Sequence, residues 1–441
     1  LLGMMASFCS LLPQIGHPDN GFFGMISLDN LAVYSRMIIL FGCMLSALFL
    51  AQYFNRSQQG KSPGDCYSIL LAATLGLHLL CMTSNWLMAF IAIEMVSICS
   101  YILVGYFSAT RKQAEAAMKY ALFGSVCAAV MLYGISLIYG LTGDLDFKSM
   151  QHIQGLIDAP AAVVNIALLF IFVGIGFKLS FVPFHIWSPD VYEGAPTPVT
   201  AFLSTVPKVA VLVFFARLIQ AWMSTLFYFS ELTFWFILGV AVLSMLLGNL
   251  AALRQTDAKR LMAYSAIGHT GFLLMAILVY QQAYDYLLFY LIAYVGMNMA
   301  AFIFIDELEQ HTASSNISSY SGLGKKMPML FTAFTLIGIS LIGLPPTMGF
   351  MAKLLVFTQV FERYQASQEI MLLLLLVVGA LTSVISLFYY FKIPLYAFLR
   401  EDTTDRSFQP TRTFLLIIGF LMTSGIIILG LFPSIVLDLM N

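Results

Sequence analysis

The chain has 441 residues, 60% hydrophobic and 10% charged, with a mean hydropathy of +0.89. Soluble domains carry about 25% charged residues, so this composition excludes a soluble globular enzyme and a disordered tail. The 21 Lys+Arg nearly cancel the 22 Asp+Glu, which leaves no net field to draw nucleic acid.

A membrane-crossing helix needs roughly 20 mostly apolar residues. In chain order, such runs predict helices over 1–13 (a fragment), 29–53, 66–83, 85–108, 114–140, 161–187, 196–219, 227–251, 259–280, 284–305, 328–359, 369–399 and 412–440. That makes twelve full spans and one fragment in an all-α polytopic membrane protein. The short alternating segments of a membrane barrel are absent. The run Leu1–Leu12 is too short to span, and Leu1 stands where an initiating Met is usual, so part of the amino terminus is expected to be missing. No basic stretch of the kind that opens a signal peptide precedes it.

The connectors alternate in charge. One set carries Arg56, Lys61, Arg111, Lys112, Arg254, Lys259, Arg260, Lys325, Lys326, Arg400, Arg406 and Arg412; the opposite set holds little beyond Lys148 and Arg363. Because Lys and Arg mark the cytoplasmic side, the first set is expected there and the carboxyl terminus outside.

Two predicted helices carry internal proline at similar relative depth, each near a lysine. GIGFKLSFVPFHIW places Lys178 five residues before Pro183, and LIGLPPTMGFMAKLL places Pro345 and Pro346 upstream of Lys353. Proline removes a donor and clashes with the preceding turn, so each helix should break or kink, with the freed carbonyls satisfied by protein or in a cavity. The chain then divides into amino-terminal helices (1–65), a first five-helix unit (66–219), a second (227–399) and a carboxy-terminal helix (400–441). Five is odd, so two like-folded units insert with opposite orientation, and paired interrupted helices point to an inverted-repeat transporter with its site near the midplane.

Four ionisable residues lie in the middle of apolar helices: Glu94, Lys178, Lys208 and Lys353. Insertion scales assign about 2.5–3.5 kcal/mol to each such residue, so four imply about 10–14 kcal/mol if none is paired or hydrated. That is comparable to the whole stability of a domain. Lysine suits a gated proton site, because desolvation weakens its hold on the proton and a nearby carboxylate strengthens it again. Arginine, always charged, does not. Snorkelling serves residues near helix ends, and these lysines are several residues inside. Lys119 is nearer an end, where snorkelling is the ordinary reading. His269, beside Tyr264, Ser265 and Thr270, and His185, seven residues after Lys178, are candidate relay points; His78 has no visible partner. Asp190 and Glu193 flank a turn where they can gather protons or simply be solvated.

Other chemistries find no support. The cysteines Cys9, Cys43, Cys66, Cys81, Cys99 and Cys127 are scattered, without a C-x-x-C pair, against an iron–sulfur or c-type haem site in this chain. No G-x-x-x-x-G-K-[ST] loop is present, against ATP as the energy source. No cofactor or metal is expected to bind here.

The run GFKLSFVPFHIWSPDVYEGAPTPVTAFL, with AIEMVSICSYILVGY, AEAAMKYALFGS, DAKRLMAYSAIGHTGF and GLPPTMGFMAKL in the same order, closely resembles subunit N of respiratory complex I. The resemblance implies an antiporter-like fold of fourteen helices, about thirteen of them present here. It implies proton translocation by NADH:quinone oxidoreductase, with NADH, FMN, iron–sulfur clusters and quinone in other subunits. It places Glu94 as the partner of Lys178 in one broken helix, Lys208 on a central hydrated axis and Lys353 toward the exit or the neighbouring subunit; Lys119 and His269 match common family positions. Implied partners are the neighbouring antiporter-like subunit, small helical subunits, lipids, protons and water, in a bacterial inner membrane or a mitochondrial or thylakoid counterpart. The sister subunit M usually has glutamate where Lys353 stands, and subunit L has a long carboxy-terminal helix, so both fit less well. Pro207, before Lys208, departs from the small polar residue expected there. The other readings are a multi-subunit cation/proton antiporter, the equivalent subunit of a ferredoxin-dependent photosynthetic complex, and a structural subunit that does not pump.

Overall fold

The computed structural model describes residues 1–56, 62–108, 110–223, 229–279, 284–401 and 414–440. The basic residues Lys61, Arg406 and Arg412, and residues 227–228, 280 and 412–413 of the predicted helices, lie outside the described residues.

The chain begins with α1 (Leu2–Leu11) and a small antiparallel pair, β1 (Asp19–Gly21) and β2 (Ile26–Leu28), in which Asn20 faces Ser27. Then follow α2 (Asn30–Arg56), α3 (Pro63–Met82), α4 (Trp86–Tyr106), α5 (Arg111–Thr142), the short α6 (Met150–Asp158), α7 (Ala161–Leu179) and the short α8 (Trp187–Gly194). The chain continues through α9 (Thr197–Met223), α10 (Phe229–Leu253), α11 (Ala258–Leu278) and α12 (Asp285–Thr312). It ends with α13 (Leu323–Lys326), α14 (Pro328–Ile342), α15 (Met348–Ser367), α16 (Ile370–Tyr390), α17 (Lys392–Leu399), α18 (Phe414–Leu431) and α19 (Ser434–Leu437). Among the described residues, 11 helices are long and apolar enough to cross a membrane.

The starts are chemically marked. Asn85 accepts from the amides of Leu87 and Met88, Thr110 and Gln113 form a reciprocal capping box, and Asp257 accepts from the amide of Arg260. Small residues then let helices approach closely. A Cβ on Gly248 of α10 would lie 2.5 Å from the backbone nitrogen of Gly268 on α11, and one on Gly134 of α5 would lie 2.7 Å from the Ala167 carbonyl on α7. Without water to drive association, such close packing is what joins helices in lipid.

Burial is graded. The membrane segments of α9, α11 and α12 are almost wholly enclosed, while α5, α16 and α18 expose most of their surface. The lysine-bearing α9 therefore runs through the middle of the bundle. Pro207 lies inside it and the helix continues without interruption.

Several expectations are corrected. The predicted helix 161–187 breaks as expected, but ahead of Pro183. It stops at Leu179, because Ser180 takes the left-handed conformation (φ 57°) and its amide turns back onto Gly176 and Phe177. His185 consequently lies in the connection to α8. Asp190 and Glu193 lie on α8 itself, not on a turn. The predicted helix 328–359 likewise divides at Gly343 (φ 88°), whose amide bonds back to Ile339 and Ser340. The helix expected over 284–305 runs to Thr312 and brings Asp306, Glu307 and Glu309 into its last turns.

Candidate functional site: a row of buried lysines

Each interrupted helix exposes carbonyls at its broken end, and a helix carboxy terminus carries partial negative charge. In the first, Lys178 sits in the last turn of α7 itself. In the second, Lys353 sits after the break, on α15, and reaches back to the end of α14, donating to the carbonyls of Leu341 (3.2 Å) and Ile342 (2.7 Å) and to Ser383 Oγ (3.2 Å). The two lysines occupy different places relative to their breaks: Lys353 brings its ammonium to a broken helix end, whereas Lys178 is a residue of the broken end itself and its ammonium lies elsewhere.

The surroundings of Lys178 are aromatic. Its Nζ lies 5.5 Å from the ring centre of Tyr101, 5.9 Å from that of Tyr120 and 5.7 Å from that of Phe177, and it has no hydrogen-bond partner. Cation–π attraction offsets part of the desolvation cost. Glu94, one helix away on α4, accepts from Ser97 Oγ at 3.4 Å and is within coulombic range of Lys178 without forming a contact ion pair.

Lys208 is 1% exposed. Its Nζ donates to the Ala266 carbonyl and to Thr270 Oγ1, both at 3.1 Å. The Thr270 hydroxyl has the carbonyls of Ala266 (2.8 Å) and Leu179 (3.1 Å) as acceptors. Leu179 follows Lys178 directly, so one threonine joins the central lysine to the end of the first broken helix. His269, beside it, meets Tyr290 Oη through Nδ1 (3.1 Å) and Tyr390 Oη through Nε2 (3.4 Å). Tyr390 also bonds Ser265 Oγ. The ring centre of Phe272, one turn further along α11, lies 4.4 Å from the Nζ of Lys353. Helix α11 thus carries a polar strip that reaches both Lys208 and the neighbourhood of Lys353.

The remaining candidates lie elsewhere. Lys119 bonds Asp190 (2.8 Å) and Glu115 (2.9 Å) at the end of the bundle where α5 and α8 meet α11. Arg260 ties Asp190 (2.8 Å) to Glu193 (2.9 Å), and Glu193 holds Lys112 at 2.5 Å. Burial pushes the Asp190 and Glu193 carboxyls up, but Lys119 and Arg260 around the first, and Lys112 and Arg260 around the second, outweigh it and hold both below their ordinary values. Lys112, Glu115, Lys119, Asp190 and Glu193 line a cavity of about 150 Å³. His185 is half-buried in the connection that follows the first break, with no hydrogen-bond partner for its Nδ1.

Sequence reasoning missed Arg217, buried on α9 and held by Asp29, and the acids Asp306 and Glu307, which Arg56 pairs at 3.2 and 3.7 Å. Arg217 was legible as a charge inside an apolar run. Among the described residues, no group of three or more His, Cys, Asp or Glu side chains is placed to hold a metal ion.

A bundle of membrane-length helices with two interrupted members and buried lysines at the breaks defines the class of antiporter-like membrane subunits. The family model described as NADH:quinone oxidoreductase/Mrp antiporter, transmembrane, matches residues 83–386. NADH-quinone oxidoreductase subunit N 2 of Chloroherpeton thalassium is 38% identical over 415 residues, covering 92% of this chain and 80% of the relative. NAD(P)H-quinone oxidoreductase subunit 2 of Prochlorococcus marinus is 39% identical over 394 residues, covering 89% and 75%. A chain of respiratory complex I from Thermus thermophilus with bound aureothin superposes with a TM-score of 0.81 at 32% identity, covering 99% of this chain and 92% of that one. A chain of the Mrp complex from Dietzia sp. shares the fold (TM-score 0.83) at 19% identity. The chain belongs to the NADH:quinone oxidoreductase/Mrp antiporter transmembrane family, and within it to the subunit N group.

Proposed function

We propose that this chain is a proton-translocating membrane subunit of an NADH:quinone oxidoreductase. In this reading Glu94 sets the proton affinity of Lys178, Lys208 passes the proton laterally through Thr270 and His269, and Lys353 releases it. The observation that carries the reading is the threonine bridge: Thr270 accepts from Lys208 and donates to the broken end of the helix that bears Lys178. A static ion-pair scaffold would join each lysine to a carboxylate; here Lys208 and Lys353 meet neutral oxygens. Neutral acceptors hold an ammonium only loosely against desolvation, so each amine is able to give up its proton.

Electron transfer takes place in other subunits, which hold NADH, FMN, iron–sulfur clusters and quinone, and its energy arrives as shifts of the interrupted helices, elements with two packing states. The neighbours are another antiporter-like subunit, small helical subunits and lipids. Lys119, with Asp190, serves as the proton-gathering end, and His185 is a lesser relay beside the first break. The basic connectors Arg56, Arg111, Lys112, Arg254, Lys259, Arg260, Lys325, Lys326 and Arg400 face the cytoplasm of a bacterial plasma membrane, and the carboxyl terminus faces out.

The test is Lys178→Ala and Glu94→Gln in inverted membrane vesicles that contain the whole complex. The expected result is an assembled complex whose proton pumping falls at least tenfold for Lys178→Ala and severalfold for Glu94→Gln. Full pumping in both assembled variants would falsify the assignment; loss of assembly in both would instead favour a structural role.

A further inference from the structure

Two lysine-bearing helices also carry an arginine, toward the end of the bundle opposite the Lys112–Glu193–Arg260 cluster. Arg217 follows Lys208 by nine residues on α9, and Arg363 follows Lys353 by ten on α15, or about 14 and 15 Å at 1.5 Å per residue. Their settings differ. Arg217 is closed off: it is 1% exposed, grips Asp29 with two nitrogens (2.6 and 2.8 Å) and donates to the Cys81 carbonyl. Arg363 opens onto space. It lines a cavity of about 260 Å³ with Glu231, Trp235, Ser367 and Glu369, and the two glutamates are exposed.

Arg363 is nonetheless fixed in place. It donates to the Leu278 carbonyl at the end of α11 (2.5 Å), and its guanidinium lies 5.1 Å from the ring centre of Phe234. Toward Lys353 the buried face of the helix is apolar: Val356 and Val360 are buried, and Phe357 packs on Phe272 (6.2 Å between ring centres), the ring that also covers the Lys353 ammonium. An amine, an aromatic contact, an anchored arginine and an open cavity with carboxylates follow one another along α15.

We propose that this cavity is the proton outlet of Lys353 and that Arg363 is its fixed-charge valve; the proposal rests on the translocation function above and deepens it. The Lys353 ammonium loses its proton and becomes a neutral amine. The proton crosses the Phe272–Phe357 contact when that contact hydrates, is taken up by the carboxylate of Glu231 or Glu369, and passes to the bulk. The guanidinium keeps its own proton throughout. Anchored by Leu278 and Phe234, it opposes cations that would enter from the cavity, the electrostatic exclusion used by pore arginines. Arg363 is a positioning residue; the proton does not pass through it.

The experiment uses the whole complex in membrane vesicles. Arg363→Met is expected to keep quinone reduction within about twofold of the parent, lower the steady pH gradient at least twofold, and speed its decay severalfold once turnover stops; Arg363→Lys restores both. A parent-like gradient and decay in Arg363→Met overturns the proposal. Should Arg363→Met fail to assemble, Ser367→Cys tests the outlet. An impermeant maleimide is expected to label it from the cavity side and to lower the gradient, whereas no labelling, or full pumping after labelling, overturns the outlet. Lys353→Ala, measured in parallel, separates the two levels. Pumping that persists in Lys353→Ala removes the underlying function, while pumping lost there but normal in Arg363→Met removes only the valve.

Discussion

At the residue scale, the Thr270 hydroxyl has one proton and two carbonyl acceptors, Ala266 and Leu179, while its oxygen accepts from Lys208. A hydroxyl rotates at little cost, so it links the lysine alternately to its own helix and to the first break. Replacing Thr270 by Val keeps the shape and removes the link. The expected outcome in vesicles of the whole complex is an assembled protein with proton pumping reduced about tenfold; pumping at the parent rate would show that the bridge is dispensable. The lysines were legible in the sequence because a charge inside an apolar run is conspicuous. Thr270 was visible as a neighbour of His269, but its bridging was not, because the Leu179 carbonyl reaches it only through the fold, across 91 residues.

At the element scale, the breaks were legible and their form was not. Pro183, Pro345 and Pro346 announce that regular helix cannot continue, yet the helices end earlier, at Leu179 and Ile342, where Ser180 and Gly343 turn left-handed. Glycine adopts that conformation freely and serine does not, so the first break carried no local signal at the residue that makes it. The short amphipathic α6 also escaped notice, since a search for long apolar runs passes over nine residues. Helix contacts give a further prediction. With a Cβ on Gly248 only 2.5 Å from the Gly268 backbone, Gly248→Ala must push α10 from α11, which carries His269 in its next position. Overpacking of this kind costs about 1–3 kcal/mol, and thermal denaturation of the detergent-solubilised complex should begin several degrees lower. An unchanged transition would mean that α10 moves aside freely.

At the scale of the whole molecule, one end of the bundle is held by a charge network that joins α5, α8 and α11 through Asp190 and Glu193. Both carboxyls lie below their ordinary values of 3.8 and 4.5 when folded. A group so lowered stabilises the fold at pH above its unfolded value, and that contribution disappears as the pH drops through the folded value. Hydrogen exchange in residues 187–197 should therefore be flat from pH 7 to about 5 after correction for intrinsic rates, and accelerate below about 4. Acceleration beginning near pH 6 would point to a histidine instead. Composition disclosed the membrane class, and the long apolar runs disclosed most of the spans. What they could not disclose was depth, that is, which helices are enclosed by others, because nearly every helix is apolar all round. Depth has a consequence of its own. Helices α9 and α11, which carry Lys208, Thr270 and His269, are almost wholly enclosed by the rest of the chain, whereas α5, α16 and α18 are open on their outer faces. A bilayer that thickens or thins strains the outer helices first, so the surroundings of Lys208 are mechanically shielded by the rest of the chain.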